Sequence, residues 1–311
     1  MEQSLEKIKR VERLTEMPEE WRVLREKILN NFESKTEGLD IERVCEFMFS
    51  HNLPVTDFLF FDKEDIPQLQ RWLGKVYNMD NFIPDHTGSY VQAVHFFIMN
   101  LVLVLRQRQT EEENGSVYTE GQLIHELAHG SSEHQLFVNT PDSGKLQPRS
   151  GFGLSNNKKR EGFSYGTFLE EGFADMLCGD YMKKNILSEV KKKIFKKLES
   201  LGFDTRLESI SLSSVKADCG IKYIDLRDGE LHYGETSIAA TGLDMLCAKQ
   251  PKLKQVLFEA RSDIEKLREV PKLINKIKPG LYMEIQKHAL YTKEDFIRVQ
   301  NIIKDAIKNS V

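Results

Sequence analysis

Residues 121–130 of the chain read GQLIHELAHG and contain two histidines four positions apart, His125 and His129. On an α-helix, side chains at positions i and i+4 lie one above the other on the same face. A helix over this stretch would therefore direct both imidazoles at one ion. Glu126 lies one residue after His125, about 100° round the helix. That direction suits contact with a water molecule held by the same ion.

The H-E-x-x-H spacing therefore predicts two metal ligands and a general base on one helix. The alternative interpretation is an ordinary amphipathic helix that carries two histidines on one side. Two histidines do not complete a zinc site, because such a site needs at least a third protein ligand. The rest of the chain must supply it.

A second stretch, TFLEEGFADML at residues 167–177, predicts a helix on which Glu171 and Asp175 share a face. Glu171 would complete a set of two histidines and one glutamate, and would leave the fourth position for water. Asp175 would accept the free N–H of a ligand imidazole and fix its tautomer. Glu170 is less suited to this pairing, because the residue four positions later is Ala174.

The pair HELAH and EEGFAD resembles the gluzincin metallopeptidases, the thermolysin-like clan, whose ligand helices carry H-E-x-x-H and E-x-x-x-D. The resemblance covers about residues 115–180. It implies a zincin-like fold and a Zn2+ cofactor. Its residue assignments are the zinc ligands His125, His129 and Glu171, the catalytic base Glu126, and a supporting carboxylate, Asp175, behind His125.

The expected fold class is therefore α+β, with a small mixed sheet next to the active-site helix. We predict three parts: a helical N-terminal segment (1–53), a zincin catalytic subdomain (54–185) and a mainly helical C-terminal subdomain (186–311). The N-terminal segment either restrains activity by packing near the cleft or adds to the core.

Local patterns give further expectations for the sheet and the loops. Apolar, β-branched and aromatic residues predict a strand at 56–62 and one long or two shorter strands within 88–108. The strand nearest the HELAH helix, within 100–108, would align an extended peptide by edge pairing. A stretch rich in Gly, Ser, Pro and Asn predicts a loop over 138–166. Turn residues predict a hairpin over 221–233.

Composition excludes several classes of function. Of 311 residues, 40% are hydrophobic and 30% charged, with a formal net charge of −4, so we expect a sizeable core and no nucleic-acid partner. Cys45, Cys178, Cys219 and Cys247 lack C-x-x-C spacing, which favours reduced thiols in the cytoplasm. The apolar stretch 91–105 is too short to cross a bilayer, so no membrane association is expected. Oligomeric state is left open.

The sequence thus predicts a cytoplasmic zinc metallopeptidase that hydrolyses a peptide or protein substrate, with Glu126 as general base toward a zinc-bound water. A rival interpretation is a non-proteolytic regulatory or scaffolding protein that keeps the zincin fold with a closed cleft. A third is hydrolysis of a non-peptide substrate by the same water chemistry.

The resemblance also implies a donor that stabilises the oxyanion, since gluzincins add a Tyr or His from beyond the third ligand. His232 and Tyr233 are the first such residues to lie side by side after the ligand helix. They precede an apolar helix that begins near Glu235. The alternative is that both are surface residues of the hairpin, and Tyr165 is then the next candidate.

Overall fold

The sheet and the helices that carry the predicted ligands all lie within the part of the chain that the structure describes. The structure is a computed structural model, and it describes residues 19–73 except 35 and 37, 93–96, 99–105, 115–132, 136–139, 146–150, 152–154, 166–185, 210–211, 224–227, 230–233 and 237–310 except 289, 291 and 292. These residues form a mixed α+β structure that is mostly helical and contains small three-stranded sheets. The predicted α+β class is confirmed.

The first part of the chain alternates short helices and strands. Helix α2 begins where the Asp40 side chain accepts a hydrogen bond from the backbone N–H of Arg43 at 3.0 Å, an N-cap that satisfies one of the unpaired donors of the first turn. The elements in chain order are α1 (Glu19–Asn31), α2 (Ile41–Ser50), β1 (Asp57–Phe61), a 3-10 turn (Lys63–Asp65), α3 (Ile66–Leu73), β2 (Ala93–Phe96), β3 (Leu101–Leu105) and α4 (Gly115–Gly130).

Strands β1, β2 and β3 form one mixed sheet in the order β1–β3–β2. β1 runs parallel to β3, with Asp57 opposite Leu101, and β2 runs antiparallel to β3, with Ala93 opposite Val104. The strand predicted at 56–62 and the two shorter strands within 88–108 are confirmed. The prediction that the strand within 100–108 offers a free edge is wrong, because β3 is hydrogen-bonded on both sides.

The two faces of this sheet belong to different cores, since successive side chains of a strand point to opposite faces. One face packs against α4 and the second helix that carries a predicted ligand; its buried residues include Phe60, Val102 and Val104. The other face packs against α1 and α3; its buried residues include Leu59, Phe61, Leu101 and Leu103, with Trp21 and Leu69 from the helices. Helix α4 is therefore fixed against a sheet that is itself covered on its far side.

A second small sheet follows α4 directly. It consists of β4 (Leu136–Asn139), β5 (Leu146–Ser150) and β6 (Gly153–Leu154), all antiparallel. The loop predicted over 138–166 is thus wrong for its first part. Proline and glycine disfavour strands locally, but β5 pairs on both sides although it contains Pro148, so pairing between strands outweighs the local preference.

The last part of the chain returns to helices after a hairpin. Helix α5 begins at Thr167, as predicted. The hairpin predicted over 221–233 and the helical character of the C-terminal part are confirmed for the described residues. The elements are α5 (Thr167–Asn185), β7 (Ile210–Ser211), β8 (Ile224–Arg227), β9 (Glu230–Tyr233), α6 (Ser237–Lys249), α7 (Lys252–Glu259), α8 (Ile264–Ile277), α9 (Leu281–Gln286) and α10 (Lys293–Lys308).

A single apolar core joins elements from all three predicted parts of the chain. Its buried members include Val44 of α2, Leu127 of α4, Phe173 of α5 and Ile303 of α10, each fully inaccessible. Helix α2 is therefore part of the core around α4 and α5, and residues 1–18 lie outside the described residues. The predicted boundaries at 53 and 185 stay predictions. Within the described residues, none of the helices is long and apolar enough to cross a membrane.

Candidate metal centre

Helices α4 and α5 lie against each other and bring the predicted ligands together. Helix α4 is buried nearly all round, with Leu123, Ile124, Leu127 and Ala128 inaccessible, which is typical of a central helix. Helix α5 lies between α4 and α6. At Gly172 an added Cβ would lie 2.9 Å from the backbone oxygen of Ala239 in α6. Only glycine at this position lets α5 and α6 approach so closely.

The three predicted ligand atoms form a compact triangle. Nε2 of His125 lies 3.1 Å from Nε2 of His129. Oε2 of Glu171 lies 3.4 Å from Nε2 of His125 and 3.7 Å from Nε2 of His129. A tetrahedral zinc ion with bonds of about 2.0–2.2 Å sets its ligand atoms about 3.3–3.6 Å apart. The observed separations bracket that range, so the residues fit the ion that the sequence predicts.

The ligand side chains are partly open to solvent. His125 is 13% exposed, His129 15% and Glu171 25%. Among the residues that the structure describes, these three form a group of His, Cys, Asp or Glu with all ligand atoms within 4.8 Å of one another. The site therefore combines close ligand atoms with access for water or substrate.

Asp175 lies behind His125, one turn after Glu171 on α5. Its Oδ1 lies 2.8 Å from Nδ1 of His125, and its side chain is almost fully buried. A carboxylate in this position accepts the Nδ1 proton and leaves the Nε2 lone pair for the metal. The structure thus brings together Asp175 and the three candidate ligands.

A further carboxylate, Glu170, lies behind His129. Its Oε1 lies 3.0 Å from Nδ1 of His129, and its Oε2 accepts a hydrogen bond from the backbone N–H of Phe152 at 2.7 Å. Sequence reasoning favoured Glu171 and Asp175 and assigned Glu170 no such role. Each candidate histidine ligand therefore has a buried carboxylate on its far ring nitrogen.

Arg261, in the turn after α7, completes this arrangement and was not predicted. It is 1% exposed and donates from Nη1 and Nη2 to the two carboxylate oxygens of Glu170, at 2.8 and 3.0 Å. The guanidinium also lies over the rings of Phe152 and Phe173, 5.4 and 4.9 Å from their centroids. Cation–π contacts of this kind add to the stability of a desolvated arginine.

The carboxylates of the site outnumber its guanidinium groups. Burial raises the pKa of Glu170, but Arg261 and His129 outweigh it and lower that pKa to about 2. The neighbouring histidines likewise lower the pKa of Glu171 against the effect of burial. Glu170, Glu171 and Asp175 thus supply three negative charges, and Arg261 supplies one positive charge. This excess of negative charge suits a bound cation.

The same carboxylates change the pKa values of the two imidazoles. Burial lowers the pKa of His125, but hydrogen bonds to Asp175 and Glu171 raise it well above the ordinary value. Burial also lowers the pKa of His129, and Glu171 and Glu170 raise it. Glu126 is half-buried and follows His125 on α4, and its charge contributes to the raised pKa of His125.

The end of α4 lies against strand β2 at Gly130. A Cβ at Gly130 would lie 2.7 Å from Cγ2 of Thr56 and 3.3 Å from Nε2 of His95. Burial and the nearby His129 lower the pKa of His95 to about 4, so this imidazole is neutral at neutral pH. Strand β2 therefore runs beside the candidate ligands, a position of His95 that spacing along the sequence does not predict.

The predicted oxyanion donors lie on a strand next to a ligand helix. His232 and Tyr233 belong to β9, opposite Asp225 and Ile224 of β8, and β9 runs alongside α5. Their side chains and all of Tyr165 lie outside the described residues. The structure thus brings the backbone of this pair to α5, and the role of the pair stays a prediction.

Comparison with protein-family models, with curated proteins and with solved structures gave no match to this chain. Any functional assignment therefore depends on the residues and their geometry.

Proposed function

We propose that this protein is a zinc-dependent metallopeptidase with a zincin-like, gluzincin-type catalytic centre. The observation that carries the proposal is the triangle of ligand atoms from His125, His129 and Glu171, with a buried carboxylate behind each histidine. A chance pair of histidines on an amphipathic helix would need neither a third ligand atom close by nor a buried carboxylate behind each ring. The excess of carboxylates around the site suits a cation.

His125, His129 and Glu171 would hold the zinc ion, and Asp175 would orient His125. When bound, zinc polarises a carbonyl and lowers the pKa of a nearby water. The Glu126 carboxylate follows His125 on α4 and accepts the proton of the attacking water. It then gives that proton to the leaving amine. His232 and Tyr233 are the proposed donors to the oxyanion.

Strand β2 is the proposed site for an extended peptide. Among the described strands, β2 pairs only with β3, and it lies beside α4. An edge strand can hydrogen-bond an extended chain through its free backbone N–H and C=O groups. Edge pairing of this kind needs a peptide backbone, so the proposal favours a peptide over a small non-peptide substrate and assigns the pairing to β2 rather than to β3.

A cytoplasmic location is part of the proposal. Cys45 and Cys247 are present as thiols. Reduced cysteines are typical of a reducing compartment. Zinc sites and thiols coexist there without oxidation of the cysteines.

The proposal is tested by comparing the wild type with Glu126→Gln on a peptide library, with zinc content measured in parallel. The glutamine cannot accept a proton from water, so we expect full zinc and a loss of cleavage of about 10²- to 10⁴-fold. Equal cleavage by both proteins would contradict the role of Glu126. Zinc binding without cleavage by either would favour the non-proteolytic alternative.

A further inference from the structure

We infer that Glu170 and Arg261 are positioning residues for the ligand His129: Arg261 holds the Glu170 carboxylate in place, and that carboxylate fixes the His129 ring. The inference rests on the proposed metal site. It concerns how the ring of His129 is oriented. The E-x-x-x-D pattern contains a carboxylate for His125 but none for His129.

The contacts of Glu170 leave its carboxylate a single orientation. Oε1 lies 3.0 Å from Nδ1 of His129 and accepts from Nη2 of Arg261 at 3.0 Å. Oε2 accepts from Nη1 of Arg261 at 2.8 Å and from the backbone N–H of Phe152 at 2.7 Å. An ionised carboxylate only accepts hydrogen bonds. The contact with His129 therefore requires a proton on Nδ1, which leaves the Nε2 lone pair directed at His125 and Glu171.

Arg261 holds His129 from a second direction as well. Its Nη2 donates to the backbone oxygens of Ala128 and His129, the latter at 3.2 Å. Its Nε donates to Oγ of Ser131 at 3.1 Å. One guanidinium thus fixes the last turn of α4, which carries His129, and the carboxylate that contacts the His129 ring. Arg261 therefore fixes both the backbone of His129 and, through Glu170, its ring.

Helix α5 therefore contributes carboxylates that contact both His125 and His129. Glu170 contacts His129, Glu171 supplies the third ligand atom, and Asp175 contacts His125. Glu170 is held by an arginine that follows it by 91 positions. The C-terminal helices thus contribute directly to the geometry of the metal centre.

A simpler explanation is that Glu170 and Arg261 form an ordinary buried ion pair. Replacing both members of such a pair by apolar residues is often neutral or stabilising. The double variant Glu170→Leu/Arg261→Met therefore separates the two explanations, because it removes the pair without leaving a buried charge. The single variant Glu170→Gln tests the carboxylate alone, and Glu120→Gln is the matched control, because Glu120 is a buried carboxylate of α4 bound by another arginine.

The experiment measures zinc affinity of the full chain by competition with a chelator. We expect Glu170→Gln and the double variant to bind zinc about 10- to 100-fold more weakly, with the affinity of Glu120→Gln unchanged. Nitrogen NMR of the zinc-loaded wild type should show the His129 proton on Nδ1, a signature that needs no variant.

Wild-type affinity in a folded double variant, or a His129 proton on Nε2, would overturn the inference. Wild-type protein that binds no zinc would overturn the proposed function together with it. Wild type that binds zinc but cleaves no peptide would leave the inference supported by the affinity data and would count against the peptidase alone.

Discussion

Two buried clusters of arginine and carboxylate hold helices α4 and α5 together, and they differ in what the carboxylate touches. The ligand cluster consists of Glu170, Arg261 and His129. The α2 cluster consists of Glu120, Arg43 and Tyr181, and its Glu120 lies on α4 nine residues before His129, which is roughly 14 Å along the helix axis.

In the α2 cluster the Glu120 carboxylate connects helices. Glu120 accepts from Nη2 of Arg43 at 2.6 Å, from the hydroxyl of Tyr181 and from the backbone N–H of Asp40 at 2.9 Å. These contacts join α2 to the α4–α5 pair. Burial and the hydrogen bond to Glu120 raise the pKa of the Tyr181 hydroxyl, which keeps it protonated as a donor.

The comparison shows that burial and ion pairing do not identify a functional carboxylate. Glu120 is fully buried, and its described partners Arg43, Tyr181 and Asp40 are not candidate metal ligands. Glu170 also contacts an arginine and a backbone N–H, but its further partner is the candidate ligand His129. The predictions that follow test whether that contact separates the two clusters.

The largest effect is expected when a ligand is removed. Wild-type protein should hold about one zinc per chain, and Glu171→Ala or His125→Ala should lose it, because two remaining ligands do not retain the ion. Elemental analysis measures this directly. Glu120→Gln should keep its zinc, and full zinc in Glu171→Ala would show that the third ligand lies elsewhere.

The two arginines should differ in their contribution to the free energy of unfolding. Arg261→Met leaves Glu170 buried without its cation, and should cost about 3–5 kcal/mol. Arg43→Met should cost about 1–3 kcal/mol, because the Arg43 side chain is 35% exposed and Glu120 keeps two other donors. Urea denaturation of both variants gives the ranking. Equal losses would mean that the two clusters are energetically equivalent.

Asp175, the carboxylate behind His125, allows a direct comparison with Glu170, the carboxylate behind His129. Asp175→Asn should lower zinc affinity about 10- to 100-fold, since an amide can present its N–H to Nδ1 and disturb the His125 tautomer. Chelator competition measures the effect alongside Glu170→Gln. If Asp175→Asn binds zinc as the wild type does, the carboxylates behind the histidines do not control the ligands, and the contrast with the α2 cluster loses its basis.

The smallest effect concerns the approach of α5 to α6. Gly172→Ala should destabilise by about 1–3 kcal/mol, because the new Cβ meets the backbone of Ala239, and it should displace Glu171 next to it. Gly179→Ala on the same helix meets nothing within 4 Å. It should stabilise by up to about 1 kcal/mol. Thermal unfolding distinguishes the two, and a stabilising Gly172→Ala would show that the helices can separate without cost.

Local spacing was sufficient to predict the centre of this site. His125 and His129, and Glu171 and Asp175, are pairs at i and i+4, and helical geometry alone determines that each pair shares a face. Arg261 has no such signal, because its partners His129 and Glu170 lie far away along the chain and only the packing of α7 and α8 brings them together. Glu170 was not assigned a role because the residue four positions later on its helix is Ala174, so it forms no pair of polar side chains on one face.

In the fold, too, features that depend on short segments were predictable and features that depend on distant residues were not. Apolar residues within short segments predicted β1, β2 and β3, and the spacing of the candidate ligands predicted α4 and α5. The order of strands was not predictable in this way, because β1 pairs with β3 across 44 positions and this pairing makes β3 the central strand. The sheet of β4, β5 and β6 was also missed, since β5 and β6 contain Pro148 and Gly153, which disfavour strands locally.

The place of Arg261 in the chain has a consequence for biosynthesis. Positions 175 and 261 are 86 residues apart, so at roughly 5–20 residues per second the ribosome needs about 4–17 s to pass from one to the other. During that interval the nascent chain carries both histidines and all three carboxylates without the arginine that orders one of them. Acquisition of the ion is therefore expected to follow translation of the C-terminal helices. A polypeptide truncated before position 261 should be a poor acceptor of zinc although it contains every ligand.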